Sequence, residues 1–436
     1  MINPSRRSRE RSKNIEIRNG RLVDPAQGID RRGSLFVAGG RIASLDTPPA
    51  DWRADRVIEA DGLVVSPGLI DVSARLREPG FEYKATLESE IAAAIAGGVT
   101  SLACPPDTDP PLDEPGLVQM LKHRARVLNL TRVYPIGALT VKLAGTTLTE
   151  MGELANAGCV AFSHADAPLA DTEILYRAMQ YAATFGHRVW LRPQDPHLGK
   201  GGVAHDGEVA TRLGLPPVPA VAETIALATI LALSREIGVG VHLCRLSSAE
   251  AVAMVRAAKA EGLPITCDVA IHHLHLCDID IGWFDPQARL TPPLRGTRDR
   301  AALRAGVADG TIDIVCSDHT PVDDDAKQVP FGEAESGATG LELLLPLTLK
   351  WAAEERVDLS VALSKITSAP AELLGIEAGS LAVGRAADVC VFDPSAHWKI
   401  EPSALKSQGR NTPFLGIEVA GRVRYTLVDG IVTDVA

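Results

Sequence analysis

The stretch TLESEIAAAIAGGVTSLAC at residues 86–104 contains a helix pattern followed directly by a strand pattern. Its first part has apolar residues at helical spacing and ends in two glycines, which commonly stop a helix. Its second part, GVTSLAC, is a short apolar run typical of a strand buried in a parallel sheet. The stretch therefore predicts one helix-to-strand step of an α/β fold.

The same step recurs on both sides of this stretch. Further apolar runs include TRVYPIGAL (131–139), CVAFSHA (159–165), RVWLRPQ (188–194), VGVHLCRL (239–246), LPITCDVA (263–270) and DIVCSD (313–318), and helical patterns occupy 171–186, 220–238 and 248–262. Such alternation predicts a parallel sheet, and its length of about 300 residues favours a TIM (β/α)8 barrel. A doubly wound open sheet is the alternative, but no G-x-G-x-x-G follows the first strand.

Both ends of the chain have β patterns. Short strands separated by N-G and G-G turns fill residues 15–68, and strand-turn-strand patterns return at 388–394 and 423–435. We expect one small β-sandwich domain formed from both termini, with two unrelated β-extensions as the alternative. The predicted organisation is a basic flexible arm at 1–13, the first part of the sandwich at 14–66, the barrel at 67–370 and the second part of the sandwich at 371–436.

Composition excludes several classes of protein. A net charge of −11 argues against a nucleic-acid binder, although the basic arm could contact an acidic partner instead of being merely solvated. No run reaches the roughly 18 apolar residues of a membrane helix. The seven cysteines form no C-x-x-C pair, which favours a reducing, cytoplasmic location.

Barrel chemistry is carried by residues at the carboxyl ends of the strands. Polar residues follow seven of the apolar runs: Ser73, Arg75 and Arg77; Asp107; His164 and Asp166; Arg192, Gln194 and Asp195; His242 and Arg245; His272 and His273; and Asp318 and His319. Strand ends are exposed in any protein and tend to be polar, so this pattern locates the mouth without proving a site.

The chain resembles the dihydroorotases, a branch of the cyclic amidohydrolases. The resemblance is carried, in the family's order, by 66–110, VHLCRLSS (241–248), HHL (272–274), LTPPLR (290–295), IDIVCSDHTP (312–321), GRAADVCVFDP (384–394) and NTPFLG (411–416). It implies a TIM barrel with a β-sandwich of both termini, and zinc at the barrel mouth bound by histidine and carboxylate ligands. In the family, His272 and His273 match a pair that is largely structural.

Position by position, the resemblance implies that the metal ligands have been lost. Ser73 and Arg75 occupy the H-x-H positions, His164 and Ala165 the aspartate position of F-S-D-D-G, Arg192 a histidine position, and Arg245 the second histidine of H-x-x-H-x-S; only the aspartate Asp318 remains. Permanent cations at these places would repel a divalent metal. We expect no metal cofactor, with Asp318 vestigial and enclosed in an ion-pair network. The alternative is a relocated zinc site using His164, Asp166, His242 and Asp318.

The residues that bind substrate in the family are partly changed as well. Arg77 matches the arginine that binds the substrate carboxylate, but it could equally anchor the mouth through Glu78 or Asp107. Asp107 and Thr291 replace two asparagines, and Val322 replaces a histidine. The sequence leaves open whether residues 323–338 form an ordered lid or a mobile loop.

Three functions follow from these observations. The resemblance implies a non-catalytic dihydroorotase-like protein of pyrimidine biosynthesis that is a homo-oligomer and a structural partner of the aspartate transcarbamoylase catalytic subunit. The alternative is an active zinc-dependent cyclic amide hydrolase that interconverts N-carbamoyl-L-aspartate and dihydroorotate, or a hydantoinase or allantoinase. A third possibility is a binding module that senses an anion through Arg75, Arg77, Arg192 and Arg245. None of the three involves nucleic acid or a membrane.

Overall fold

The computed structural model describes residues 14–435, so the predicted basic arm at 1–13 lies outside the described residues. The strands, numbered in chain order, are β1 (Asn14–Asp24), β2 (Ile29–Ala38), β3 (Arg41–Leu45), β4 (Arg56–Glu59), β5 (Val64–Pro67), β6 (Leu69–Asp71), β7 (Val99–Cys104), β8 (Arg132–Ala138), β9 (Ala161–Ser163), β10 (Val189–Leu191), β11 (Ala204–His205), β12 (Pro217–Val218), β13 (Val241–Leu243), β14 (Ile265–Ala270), β15 (Ile314–Cys316), β16 (Val389–Lys399), β17 (Glu418–Val428) and β18 (Ile431–Asp434).

The α-helices are α1 (Leu87–Ala96), α2 (Pro115–Leu128), α3 (Met151–Ala157), α4 (Thr172–Thr184), α5 (Glu208–Leu213), α6 (Val221–Ile237), α7 (Ala249–Ala260), α8 (Thr297–Ala308), α9 (Leu344–Glu355), α10 (Leu359–Ser364) and α11 (Ser368–Leu374). Among the described residues, no helix has both the length and the apolar character needed to cross a membrane.

Eight parallel strands form the barrel, in the order β6-β7-β8-β9-β10-β13-β14-β15. The ring is completed just beyond its first and last strands, where Ala74 and His319 form a parallel bridge. There the Arg75 amide donates to the His319 carbonyl at 2.9 Å, and the His319 amide donates to the Ser73 carbonyl at 3.1 Å. The predicted TIM barrel is confirmed, and its closure brings the residues after β6 and β15 side by side.

Helix α1 shows how the quoted stretch folds. Thr86 caps the helix, because its side chain accepts a hydrogen bond from the Ser89 amide and the Ser89 hydroxyl accepts one from the Thr86 amide. Leu87 and Ile91 are fully buried in the core between helices and barrel. Each such aliphatic side chain contributes about 1.5–3 kcal/mol of burial free energy. Gly98 then takes a φ of +81° and turns the chain into β7.

The two chain ends meet in one eight-stranded sheet of order β18-β17-β16-β5-β1-β2-β3, with β4 paired to β1. The amino- and carboxyl-terminal parts join where β5 runs antiparallel to β16. Ile15, Val65, Val389 and Leu427 share the core of this domain and are fully buried. A composite β-domain from both termini is therefore confirmed, and the alternative of two unrelated extensions is wrong.

Candidate functional site

The predicted site residues lie at the carboxyl end of the barrel, where the closure of the ring brings their strands together. Ser73 and Arg75 follow β6, Arg245 follows β13 and Asp318 follows β15. These four side chains are buried, with exposed fractions of 4–8%. Arg245 and Asp318 have left-handed backbone, with φ values of 55° and 46°, which turns both side chains at the ends of their strands.

Asp318 lies in the middle of this group. Its Oδ1 accepts hydrogen bonds from Arg75 Nη1 and Arg245 Nη1, both at 3.1 Å. Ser73 Oγ is 3.4 Å from the same oxygen, and His272 Nε2 is 3.8 Å from Oδ2. Burial raises the pKa of Asp318, although Arg245 and Arg75 oppose the shift. Of the three arginines expected around Asp318, Arg75 and Arg245 form ion pairs with it, whereas Arg192 pairs with a different carboxylate.

A second carboxylate, Asp166, contacts all three arginines. Arg75 Nη2 is 2.6 Å and Arg192 Nε 2.8 Å from its carboxylate, and Arg245 Nη2 forms a third, shorter contact. Arg192 also donates to the Asp166 backbone carbonyl at 2.9 Å. Burial favours the neutral acid, but Arg245, Arg75 and Arg192 outweigh it and hold the pKa of Asp166 well below its usual range. Asp166 is therefore the carboxylate that joins the three guanidinium groups.

Asp107 completes the cluster by accepting a hydrogen bond from Arg75 Nε at 2.7 Å. We call the six side chains the mouth network; it consists of Arg75, Arg192 and Arg245 with Asp107, Asp166 and Asp318. Three cations face three anions, so the network carries no formal net charge. All three guanidinium groups are engaged by carboxylates of the protein itself, which argues against the idea that they jointly bind an external anion.

His164 is turned away from the mouth network. Its Nε2 is 2.8 Å from Thr140 Oγ1 and its Nδ1 is 2.8 Å from the Ala167 carbonyl oxygen. Burial lowers its pKa, so the ring is neutral at pH 7. His164 thus stabilises its own loop, and the structure does not bring it together with His242 and Asp318 as a relocated metal site would need.

His242 lies below the network and is engaged through both ring nitrogens. Its Nδ1 is 2.9 Å from Thr266 Oγ1, and its Nε2 is 2.9 Å from Asp268 Oδ2. Asp268 Oδ1 also accepts the Arg245 amide at 2.7 Å. Asp268, which is held in place by His242, thus fixes the backbone of Arg245.

The retained arginine, Arg77, uses neither of the two predicted anchors. Its Nε donates to the Pro321 carbonyl oxygen at 2.7 Å, and its guanidinium lies 5.9 Å from the centre of the Phe81 ring. Glu78 contacts Arg124 and accepts the Leu87 amide, whereas Asp107 belongs to Arg75. Burial and repulsion from Arg75 lower the pKa of Arg77. Arg77 therefore ties the segment after β6 to the loop after β15.

The histidine pair His272 and His273 lies in a short 3-10 helix after β14. Burial lowers the pKa of each to about 3, with further repulsion from Arg245 for His272 and from His272 for His273. Both rings are neutral at pH 7 and are 98% buried. They therefore act as buried packing groups beside Asp318.

The segment 323–338 packs against the mouth. It begins with a 3-10 helix at Asp324–Lys327, and the Lys327 ammonium donates to the Pro286 carbonyl at 3.0 Å. Glu335 contacts Lys84, and the Thr320 amide donates to the Ala338 carbonyl at 2.8 Å. These contacts anchor the segment beside the mouth network.

Sequence reasoning did not identify Asp166 as the carboxylate shared by the three arginines, and it considered Asp107 as a partner of Arg77 and not of Arg75. It also missed Asp268, which accepts a hydrogen bond from the Arg245 backbone amide. A usable signal was present, since three arginines predicted to be buried together require nearby carboxylates. Asp107 and Asp166 each follow a barrel strand and were available by position.

Comparison with known proteins gives a consistent result. Residues 62–251 match the dihydro-orotase-like family and residues 215–434 match the amidohydrolase family. A dihydroorotase-like protein of Pseudomonas aeruginosa is 44% identical over 96% of this chain and 99% of its own length, and a dihydroorotase of Geobacter is 41% identical over 96% and 98%. The L-hydantoinase of Arthrobacter aurescens has the same fold, with a TM-score of 0.86, 23% identity and 96% of each chain covered.

Proposed function

Because this chain belongs to the dihydroorotase-like family of amidohydrolases, we propose that it is a non-catalytic member of the family. In this proposal it serves pyrimidine biosynthesis as a structural partner of the aspartate transcarbamoylase catalytic subunit. The observation that carries the proposal is the position of Arg75. Its guanidinium contacts Asp107, Asp166 and Asp318 at once and so occupies the space between the carboxylates.

The residues at the mouth do not fit the zinc ion that the family resemblance implies. Zinc needs histidine, thiolate or carboxylate donors, and a guanidinium offers no lone pair. Ser73, Arg75, Arg192 and Arg245 stand where the family has ligands, and Asp318 already accepts two guanidinium hydrogen bonds. A cation placed among these groups would displace protein ion pairs and meet three positive charges.

One other group of metal-binding residue types lies near, consisting of His242, Cys244 and Asp268. His242 and Asp268 are hydrogen-bonded directly to each other at 2.9 Å, which leaves no room for an ion between them. Burial and the Asp268 charge raise the pKa of Cys244 well above its usual value. This group therefore does not fit zinc either.

The poor fit to zinc matters because of the chemistry that zinc would supply. A zinc-bound water has a pKa near 7 instead of 15.7, a difference of about 9 units or on the order of 12 kcal/mol in hydroxide availability at neutral pH. The remaining candidate base, Asp318, is bound by Arg75 and Arg245. General acid–base assistance contributes about 10²–10⁴-fold, which is far too little to replace the metal.

A scaffolding role needs only the fold and a partner surface. The chain aligns with 98–99% of the length of two dihydroorotase-like relatives, while its own mouth residues do not fit zinc. This combination is expected of a chain selected for assembly and not for turnover.

The first experiment measures metal and turnover on the same preparation. Zinc is determined by mass spectrometry, and dihydroorotate hydrolysis and N-carbamoyl-L-aspartate cyclisation are assayed with and without added zinc, beside an active dihydroorotase purified in parallel. We expect zinc well below one equivalent and no turnover in either direction. One equivalent of bound zinc with chelator-sensitive turnover would establish the alternative, an active cyclic amide hydrolase.

The second experiment tests the partner. The chain is co-expressed with the aspartate transcarbamoylase of the same organism, and complexes are separated by size-exclusion chromatography with light scattering. We expect one complex that contains both chains and a transferase that loses activity or assembly when expressed alone. Independent elution of two proteins, with a fully active transferase, would refute the partnership while leaving the metal result untouched.

A further inference from the structure

A small cavity beside the mouth network is lined by four arginines, Arg192, Arg245, Arg289 and Arg295. Its volume is about 50 Å³. Since a cavity needs roughly 10–15 Å³ to hold one water, this space suits three or four small polar atoms. The first two arginines are paired with Asp166, but the other two are outside the network.

Arg289 has no carboxylate within 4 Å among the residues that the structure describes. Its only hydrogen bond there is a long one of 3.4 Å from Nη1 to the Leu290 carbonyl, and its buried Nε has no acceptor. Burial lowers the pKa of this group, and no neighbouring anion opposes the effect. A guanidinium in this position lacks a counter-ion.

Arg295 also forms its direct hydrogen bonds with neutral groups, although nearby carboxylates act on its charge. Its Nε donates to Ser247 Oγ at 3.1 Å and its Nη1 to the Val218 carbonyl at 2.6 Å, while the residue is only 4% exposed. Among the described residues lining the cavity, Glu223 is the only carboxylate. Glu223 is hydrogen-bonded to Ser247 through the backbone amide at 2.7 Å and the hydroxyl at 2.9 Å.

These contacts leave the cavity with an excess of positive charge. The mouth network is neutral, and Glu223, Asp299 and Asp206 act electrostatically on Arg295, so the uncompensated charge at the cavity is that of Arg289. Burying an uncompensated guanidinium costs free energy, which a bound anion would recover. Arginine also presents a planar fork of donors that matches the oxygens of phosphoryl and carboxylate groups.

We propose that this cavity binds the oxyanion group of a small molecule, a phosphoryl or carboxylate group, between Arg289 and Arg295. This site differs from the anion site expected from the sequence, because Arg75, Arg192 and Arg245 are neutralised by aspartates and Arg77 is bound to the Pro321 carbonyl. The inference is independent of whether the chain has a catalytic activity.

The test compares binding of inorganic phosphate and malonate, with chloride at equal ionic strength as the reference. At ten times the dissociation constant, the ligand raises the melting temperature of a chain of this size by about 1–2 °C. Binding of phosphate alone assigns a phosphoryl group, binding of malonate alone assigns a carboxylate, and binding of both supports a general oxyanion site. If neither binds, the proposal is overturned.

Two variants locate the site. Arg289→Gln should weaken binding at least tenfold, whereas Arg298→Gln should leave it unchanged, because Arg298 is 79% exposed and pairs with Glu250. Unchanged affinity in Arg289→Gln would overturn the proposal.

A measurement on the unaltered protein guards against a folding defect in the variant. Phenylglyoxal modification is followed by peptide mass spectrometry, and phosphate or malonate should protect Arg289 but not Arg298. Equal protection of both would count against the site.

Discussion

Replacing Asp166 by asparagine should destabilise the fold more than any other single charge removal at the mouth. The substitution preserves the shape of the side chain but removes the charge that Arg75, Arg192 and Arg245 share. Arg75 and Arg245 still have Asp318, and Arg75 also has Asp107. Within residues 14–435, Arg192 forms no ion pair with another carboxylate, and its side chain is 6% exposed.

The expected loss of stability follows from these ion pairs. Leaving a buried charge without its partner typically costs 3–5 kcal/mol, so this range is roughly the upper limit here. The Asp166 side chain is 35% exposed, and water reaching that edge will screen part of the loss. We therefore expect the free energy of unfolding to fall by about 2–3 kcal/mol.

The assay is urea unfolding at pH 7 followed by circular dichroism. Asp309→Asn is the matched control, because its ion pair with Arg256 at 2.7 Å joins side chains that are 47% and 51% exposed. The control should lose no more than about 0.5 kcal/mol. Combining Asp166→Asn with Arg192→Met should cost less than the sum of the two single changes, because the second change removes the unpaired cation.

Equal losses in Asp166→Asn and Asp309→Asn would refute the argument that the network is a buried, mutually dependent unit. Strict additivity in the double variant would refute the narrower claim that the unpaired Arg192 is the source of the cost.

Three further predictions concern stability. Burial lowers the pKa of His275 to about 4, so the stability that the neutral ring contributes is fully present above the unfolded pKa near 6.5 and is lost as the pH falls from 6.5 towards 4. Between pH 7.5 and 5.5, the free energy of unfolding of His275→Gln in urea should therefore improve by about 1 kcal/mol relative to the wild type. A constant difference between the two proteins would contradict this. Gly80→Ala should lower the free energy of unfolding by at least about 2 kcal/mol, since the φ of Gly80 is +97° and a new Cβ would meet the Asp109 carbonyl. The control Gly116→Ala faces open space in α2 and should be neutral or stabilising. Equal shifts of the melting temperature in the two variants would show that the left-handed turn is not required. Glu90→Gln should lower the free energy of unfolding by about 1–3 kcal/mol, because the fully buried carboxylate accepts hydrogen bonds from His319 at 2.5 Å and Ser407 at 2.7 Å. These bonds connect the barrel to the carboxyl-terminal segment. A loss under about 0.5 kcal/mol in urea unfolding would show that the connection is dispensable.

The fold was predictable because its signals are local and repeated. Each barrel unit carries its own helix period, glycine stop and apolar run, as residues 86–104 do. The closure of the ring was not readable, since the bridge between Ala74 and His319 joins residues far apart in the chain. Nothing in the local pattern of either residue marks it as a closing position.

The positions of the arginines at the site could be predicted from the sequence, but their carboxylate partners could not. Arg75, Arg192 and Arg245 were identified by position, because each follows a barrel strand. Which carboxylate each arginine contacts depends on side-chain reach across the mouth, and Asp166 serves all three from a loop after β9. Arg77 shows the same limit, because its partner is the backbone carbonyl of Pro321, which no side-chain pattern records.

Charge balance gives a physical reason for the arginines to be retained together. Asp318 is 5% exposed and would be an isolated buried carboxylate without a cation beside it. Arg75 and Arg245 supply that cation, but two guanidinium groups at one carboxylate overcompensate it; Asp166 and Asp107, together with the third cation Arg192, restore neutrality. The six side chains therefore balance one another's charge as a unit. Replacing one arginine by a metal-binding residue would leave the others unbalanced, so Arg75→His alone should destabilise the fold and not recruit zinc.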